Sequence, residues 1–321
     1  MRRLAPALLA CGFLLSTAAS ALAGIEVAAS IKPVHSLVAA VMQGVGKPEL
    51  LIEGAGSPHT YALKPSQARM LEGADLVFWV GPQLETFLEK PLKTIAREDA
   101  SVSLFAAGGV VRLAFREGAT FEMETHDGHD EPGNDDHAAG TDHGHGDEGF
   151  DPHVWLDPVN AKALVYEISQ RLVQADPDNA ATYEANAKKE LERLDALTRD
   201  VQAMIEPVKD RPFIVFHDAY QYFENRFGLH AAGSVTISPD HVPGAERIAA
   251  IRHKISDLGA TCVFSEPQFE SRLIATVTEA SATRVGILDP LGAGLAAGPD
   301  LYFGLIENMA RSFADCLSGQ S

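Results

Sequence analysis

Residues 213–218 read Phe213-Ile214-Val215-Phe216-His217-Asp218: four consecutive apolar residues closed by a histidine and an acid. So short a run, rich in aromatic and β-branched side chains, is a strand buried on both faces. Working outward, the spacing predicts a helix from about Ala219, a strand over 232–236, a helix over 245–257 and a strand over 262–265. A helix near 271–280, a strand over 285–288 and a closing helix over 302–317 complete the pattern. Strand and helix alternating in this way place parallel strands in one sheet with helices on its faces.

The same alternation runs through the first half. Strands are expected over 25–31, 50–52 and 76–80, and helices over 34–43, from 66–71 onward and over 84–96. The expected fold class is therefore α/β, with two similar lobes and parallel sheets. Between the lobes lies the longest helical pattern. Asp176-Pro177 supplies a capping side chain followed by a proline in the first turn. Ala187, Leu191, Leu194, Val201 and Ile205 keep helical spacing as far as Glu206-Pro207. A helix over 178–206 would be roughly 40 Å long, enough to brace both lobes and limit hinge closure. The expected divisions are 24–177, 178–206 and 207–321.

With 321 residues, 46% of them hydrophobic, the chain has material for about two cores. Its formal net charge of −18 argues against nucleic acid as a partner, because phosphate recognition needs a basic surface. Residues 1–23 read as a secretory signal: Arg2 and Arg3, an apolar stretch, then Ala21-Leu22-Ala23 before Gly24. Leu8-Leu9-Ala10-Cys11 looks like a lipoprotein cleavage site, but it lies too early to leave an apolar region before it. Loss of the signal makes the remainder two charges more negative. No later stretch of about 18 apolar residues appears, so a soluble exported protein is expected. Of the cysteines, Cys262 and Cys316 remain; in an oxidising compartment they suggest one disulfide, the alternative being a pair of thiolate metal ligands.

Residues 122–149 contain no Lys, Arg, Ile, Leu, Val or Trp. They carry His126, His129, His137, His143 and His145 among Asp, Glu and Gly, cannot bury a core, and are expected to form a mobile loop. Such a loop is either a secondary, weaker metal-binding segment or a solvated insertion.

Three further histidines lie in ordered contexts. His59 follows the strand at 50–52, His153 lies in Asp151-Pro152-His153-Val154-Trp155-Leu156-Asp157-Pro158, and His217 directly follows the strand 213–216. Asp289 follows the strand at 285–288. Open α/β sheets bind ligands beyond the carboxyl ends of their strands, and three imidazoles with one further ligand make a tetrahedral zinc site. A metal held between the lobes follows. Taken singly, each histidine is an ordinary loop residue and Asp289 a turn former before Pro290; only the joint pattern points to a site. His35 approaches this region in sequence; His230, His241 and His253 have no assigned role.

Gly56-Ser57-Pro58-His59-Thr60-Tyr61, the Asp151–Pro158 segment, Phe216-His217-Asp218-Ala219-Tyr220, Glu266-Pro267-Gln268 and Leu288-Asp289-Pro290 resemble the ZnuA-like zinc-binding proteins of bacterial ABC importers. The resemblance covers nearly the whole chain in order. It implies two (β/α)₄ lobes joined by a rigid helix, with zinc in the cleft on His59, His153 and His217 and either Asp289 or a water as fourth ligand. It also implies a Cys262–Cys316 disulfide, a periplasmic location, and delivery of the ion to an inner-membrane permease. A monomer with no enzymatic activity, handling zinc with or without a periplasmic zinc chaperone, is the expected form. Manganese members of the wider family have a glutamate where His217 stands, and the extra imidazole favours zinc. Pro58 departs from the acidic residue that some zinc members carry before the first histidine, which leaves that position without a carboxylate. The rival readings are a zinc hydrolase, with Glu266 as base, and a surface adhesin. No His-Glu-x-x-His segment or attachment tail supports either.

Overall fold

A computed structural model of the chain describes residues 24–116, 121, 149–236, 243–259, 261–269, 272–279 and 281–319. The first half contains β1 (Val27–Ala29), α1 (Lys32–Val41), β2 (Glu49–Leu50), α2 (Pro65–Gly73), β3 (Leu76–Trp79), α3 (Thr86–Thr94) and β4 (Ser101–Ser103). Two long helices follow, α4 (Pro158–Ala175) and α5 (Ala180–Ile205). The second half contains β5 (Phe213–His217), α6 (Gln221–Phe227), β6 (Ala231–Thr236), α7 (Ala245–Asp257), β7 (Cys262–Ser265), α8 (Arg272–Thr278), β8 (Arg284–Ile287) and α9 (Leu301–Ser318). The strands make two four-stranded parallel sheets, ordered β2-β1-β3-β4 and β6-β5-β7-β8. Both sheets thus have the same topology, and in each the strand order reverses beside the first strand, β1 or β5. Beyond the carboxyl ends of those strands lies the expected ligand crevice.

Alternation along each strand divides its side chains between two layers. Val27, Ala29, Leu76 and Phe78 of the first sheet, and Phe213, Val215, Cys262 and Phe264 of the second, all belong to one apolar cluster. Ala28, Val77 and Trp79 face an outer layer with Leu71, Leu88 and Leu92. Ile214, Phe216 and Val263 face another with Ile251, Ile255 and Ile274. The two lobes therefore share a single inner core, to which α5 contributes Tyr183, Ala187, Leu194, Leu197, Val201 and Ile205. Helix α5 packs against α1 and α4 on one side and against α6 and α9 on the other. At 26 residues it is about 39 Å long, close to the length anticipated.

The differences from expectation have local causes. Asp176 does not cap a helix at Pro177. A single 3₁₀ turn, Pro177–Asn179, intervenes, and the Asp176 carboxylate accepts hydrogen bonds from Asn179 Nδ2 and Tyr183 OH (2.8 and 2.7 Å). Helix α4 was not anticipated, although Asp157-Pro158 carries the same start signal: Asp157 accepts the Val159 N–H at 2.8 Å and Pro158 takes the first helical position. Strand β4 was also missed, because only Val102 of Ser101-Val102-Ser103 is buried. The expected signal at 1–23 and the loop histidines His126, His129, His137, His143 and His145 lie outside the described residues. Among the described residues no helix is long and apolar enough to cross a membrane.

Cys262 on β7 and Cys316 on α9 form a disulfide across a sequence separation of 54, their Cα atoms 6.1 Å apart. It ties the closing helix to the second sheet. Replacing both by Ala should lower unfolding free energy by about 4 kcal/mol, from loop-closure entropy. Urea denaturation of the oxidised wild type and the double variant measures this.

Candidate metal centre

Each candidate ligand is held by its own device. His217 is the last residue of β5 and pairs with Thr236 of β6, so the sheet fixes its backbone. His59 lies in the segment joining β2 to α2. There, buried Gln67 donates to Tyr61 OH (2.9 Å) and to the Leu51 carbonyl and accepts the Lys64 N–H (2.8 Å), bracing the turn from within. His153 precedes a single 3₁₀ turn, Val154–Leu156. Its segment is stitched across the molecule: Asp151 N–H donates to the Leu113 carbonyl (2.8 Å), Tyr222 OH to the Asp151 carbonyl (2.7 Å), and Trp155 Nε1 to the Pro290 carbonyl (2.9 Å).

These devices bring three imidazoles to one point. His59 Nε2 lies 3.3 Å from His153 Nε2, and His217 Nε2 lies 3.5 Å from it. Ligand atoms of all three lie within 4.8 Å of one another. Two nitrogens bound at about 2.05 Å to a tetrahedral ion are roughly 3.3 Å apart, so the spacing suits zinc.

The hydrogen bonds fix which nitrogen is free. His153 Nδ1 donates to Asp151 Oδ1 (2.7 Å), which also accepts the His153 backbone N–H (3.0 Å). His217 Nδ1 donates to Glu266 Oε1 (2.7 Å). Both carboxylates are buried, Asp151 at 1% and Glu266 at 4% exposure. In the neutral rings each Nε2 is consequently a bare lone pair, and the two lone pairs face each other. Only a cation, or a proton, between them relieves that repulsion. Carboxylates behind ligating histidines also fix the ring and raise its basicity.

Electrostatics follow the same plan. Burial, with repulsion from the other two rings, pushes the pKa of His59 down to about 2. Burial, reinforced by His217, takes that of His153 well below its ordinary value. His217 feels the same burial, but Glu266, joined by Asp218 and Asp151, outweighs it and its pKa is raised. Burial pushes the Asp151 carboxyl up to about 7 against the opposing His153 N–H. The cavity is bounded by Ser57, Pro58, Trp155, Phe269, Pro290 and Leu291 besides the histidines and has about 10 Å³ of free space, room for one ion or water.

Asp289 is not among the grouped ligand atoms. Its Oδ1 accepts from Gln268 Nε2 (2.8 Å) and from the Leu291 N–H (3.2 Å), so it shapes the loop whose neighbours line the cavity. His35 points elsewhere, its Nε2 bonded to the Pro48 carbonyl at 3.0 Å. His253 is exposed beside Asp257. The roles of Asp151 and Glu266 behind the histidines were not anticipated. Asp151 was within reach, since an Asp two residues before a His can accept both its backbone N–H and its Nδ1–H.

Two parallel α/β sheets, a helix braced against both lobes and one ion-sized, histidine-lined cavity between them define a solute-binding protein of the single-metal kind. The chain belongs to the family described as ZnuA, zinc-uptake complex component A periplasmic, whose model matches residues 27–316. It is 54% identical over 333 residues to the high-affinity zinc uptake system protein ZnuA of Brucella suis biovar 1 (strain 1330), covering 99% of this chain and 100% of that protein. The protein of the same name from Yersinia pestis is 37% identical over 300 residues, covering 92% of each. A crystal structure of ZnuA superposes with a TM-score of 0.75 at 22% identity, covering 92% of this chain and 99% of that one. A mutant laminin-binding adhesin (Lmb) from Streptococcus agalactiae gives 0.72 at 20% identity, covering 92% and 100%. These two structures bear on the fold alone.

Asp151→Asn and Glu266→Gln should each weaken zinc binding by about 10- to 100-fold, the usual cost of losing a group behind a ligand. Affinity should also depend on pH, since all three rings must be unprotonated to bind. His217, with its raised pKa, is where protons compete first. Affinity is thus full above that pKa and falls as pH drops through it. In Glu266→Gln, where the largest raising influence on His217 is gone and those of Asp218 and Asp151 remain, the fall should begin at lower pH. Chelator competition across a pH series measures both effects.

Proposed function

We propose that this chain captures one Zn²⁺ on the Nε2 atoms of His59, His153 and His217 and delivers it to an inner-membrane ABC permease, with no chemistry of its own. The convergence of three imidazole nitrogens, two of them bare by hydrogen bonding, on one ion-sized space carries this reading. Three nitrogen ligands favour zinc over the harder manganese ion. A water takes the fourth position, since Asp289 lies outside the group of ligand atoms and its Oδ1 is taken by Gln268 and the Leu291 N–H. Glu266, the residue a hydrolase would need as base, is committed to His217 Nδ1, and the cavity has no room for an organic substrate beside the ion.

The finer features belong to the same reading. Residues 1–23 are a cleaved signal and the mature chain acts in the periplasm as a monomer. The lobes comprise 24–177 and 207–321, with 178–206 linking them. Segment 122–149, through His126, His129, His137, His143 and His145, binds further zinc more weakly than the cleft. A periplasmic zinc chaperone is a compatible donor of the ion.

The test is zinc stoichiometry by chelator competition on the mature chain lacking 122–149, with manganese as competitor. One tight zinc that manganese does not displace is expected; loss of tight binding would move the site to the deleted segment. His153→Ala or His217→Ala should weaken the tight site by more than the roughly 100-fold that losing a supporting group costs. Wild-type affinity in either variant would remove that residue from the ligand set.

A further inference from the structure

Lys32 opens α1, where a positive charge meets the positive end of the helix dipole. It is nevertheless only 8% exposed. A buried ammonium needs its donors satisfied. Here Nζ donates to the carbonyls of Gly292 (3.2 Å), Ala293 (2.9 Å) and Leu295 (2.9 Å), which accounts for all three donors. Among the described residues no carboxylate is bonded to it, and the backbone dipoles of these three carbonyls hold the charge.

Those carbonyls belong to the other half of the molecule, in the loop between β8 and α9. The loop is wound tightly enough to turn them to one point: Leu295 N–H donates to the Gly292 carbonyl (3.0 Å), and Gly292 has φ +66. A Cβ at Gly292 would also crowd Leu301 at 3.3 Å, so glycine suits this position on both counts. Immediately before it stand Pro290 and Leu291, which wall the cavity, and Asp289, which holds Gln268 on the cavity's edge. The Pro290 carbonyl is also bonded to Trp155, two residues from His153.

We propose that Lys32 is a positioning residue for metal retention: it latches the 289–295 loop of one lobe onto α1 of the other and so keeps the cavity wall closed over the ion. This rests on the zinc reading above. In this latch the ion leaves past Pro290 and Leu291, and their movement requires the three charge-assisted bonds to Lys32 to give way.

The test is the rate of zinc release from the full mature chain to a chelator in excess, in wild type, Lys32→Met and Lys32→Arg. Met keeps the stem and removes all three donors; Arg keeps a cation able to reach part of the carbonyl set. The expected result is one zinc per chain in all three proteins, with release faster by about tenfold or more in Lys32→Met and intermediate in Lys32→Arg. Thermal melting of the metal-free proteins runs alongside. A Lys32→Met protein with a lowered melting temperature but a wild-type release rate would make Lys32 a structural tie only and overturn the latch. Should Lys32→Met not fold, a wild-type release rate in Lys32→Arg together with faster hydrogen exchange of its 289–295 amides would also overturn it. Wild-type protein that binds no zinc tightly would instead refute the zinc reading itself.

Discussion

Two buried carboxylates, Asp151 and Glu266, each take the Nδ1–H of a histidine, and the cavity depends on that constraint. With Nδ1 spent, His153 and His217 have no way to present anything but a bare Nε2 to the centre, and His59 adds a third nitrogen 3.3 Å from the first. The Nε2 lone pairs of neutral His153 and His217, 3.5 Å apart, repel each other, and the packing around them holds them there. A divalent cation removes the repulsion and gains three ligands at once. Walls of Trp155, Phe269, Pro290 and Leu291 keep the surroundings apolar, which strengthens the attraction between ion and ligands.

Such a constraint holds only on a stiff frame. The inner layers of both sheets merge into one core, and α5 fills it from Tyr183 to Ile205. Ion pairs then cross between the halves near the ligands. Arg116 bonds Asp218, the neighbour of His217, and also Glu224 on α6 at 2.8 Å. Arg226 bonds Asp157, the cap of α4, at 2.7 Å. A shared core and crossing ion pairs oppose wide opening of the lobes. Movement sufficient to admit or release an ion is more readily placed in a loop, and the 289–295 loop is one of those lining the cavity, with the segments at 57–59 and 266–269.

Much of this was legible in the sequence because the central strands β3 and β5 are short, apolar and fully buried. Phe213 to Phe216 and Leu76 to Trp79 could hardly be anything else. Strand β4 escaped because an edge strand with one buried valine leaves no apolar run, and α4 because its start signal, Asp157-Pro158, was read only as part of a ligand motif. The three histidines were legible because each follows a strand or a stiff Pro-containing turn. The partner of His217 was not: Glu266 is 49 residues away, and only the parallel pairing of β5 with β7 brings it near. Asp289 shows the converse limit. Its place after a strand suggested a ligand, yet β8 ends at Ile287, and two residues further on the carboxylate turns to Gln268 and the Leu291 N–H.

The most direct test of this account is anomalous diffraction at the zinc edge from crystals of the zinc-loaded mature chain. The account predicts one strong peak bonded to Nε2 of His59, His153 and His217 at about 2.0–2.1 Å, with a water as fourth ligand. A principal peak elsewhere, or one bonded mainly to carboxylate oxygens, would contradict it.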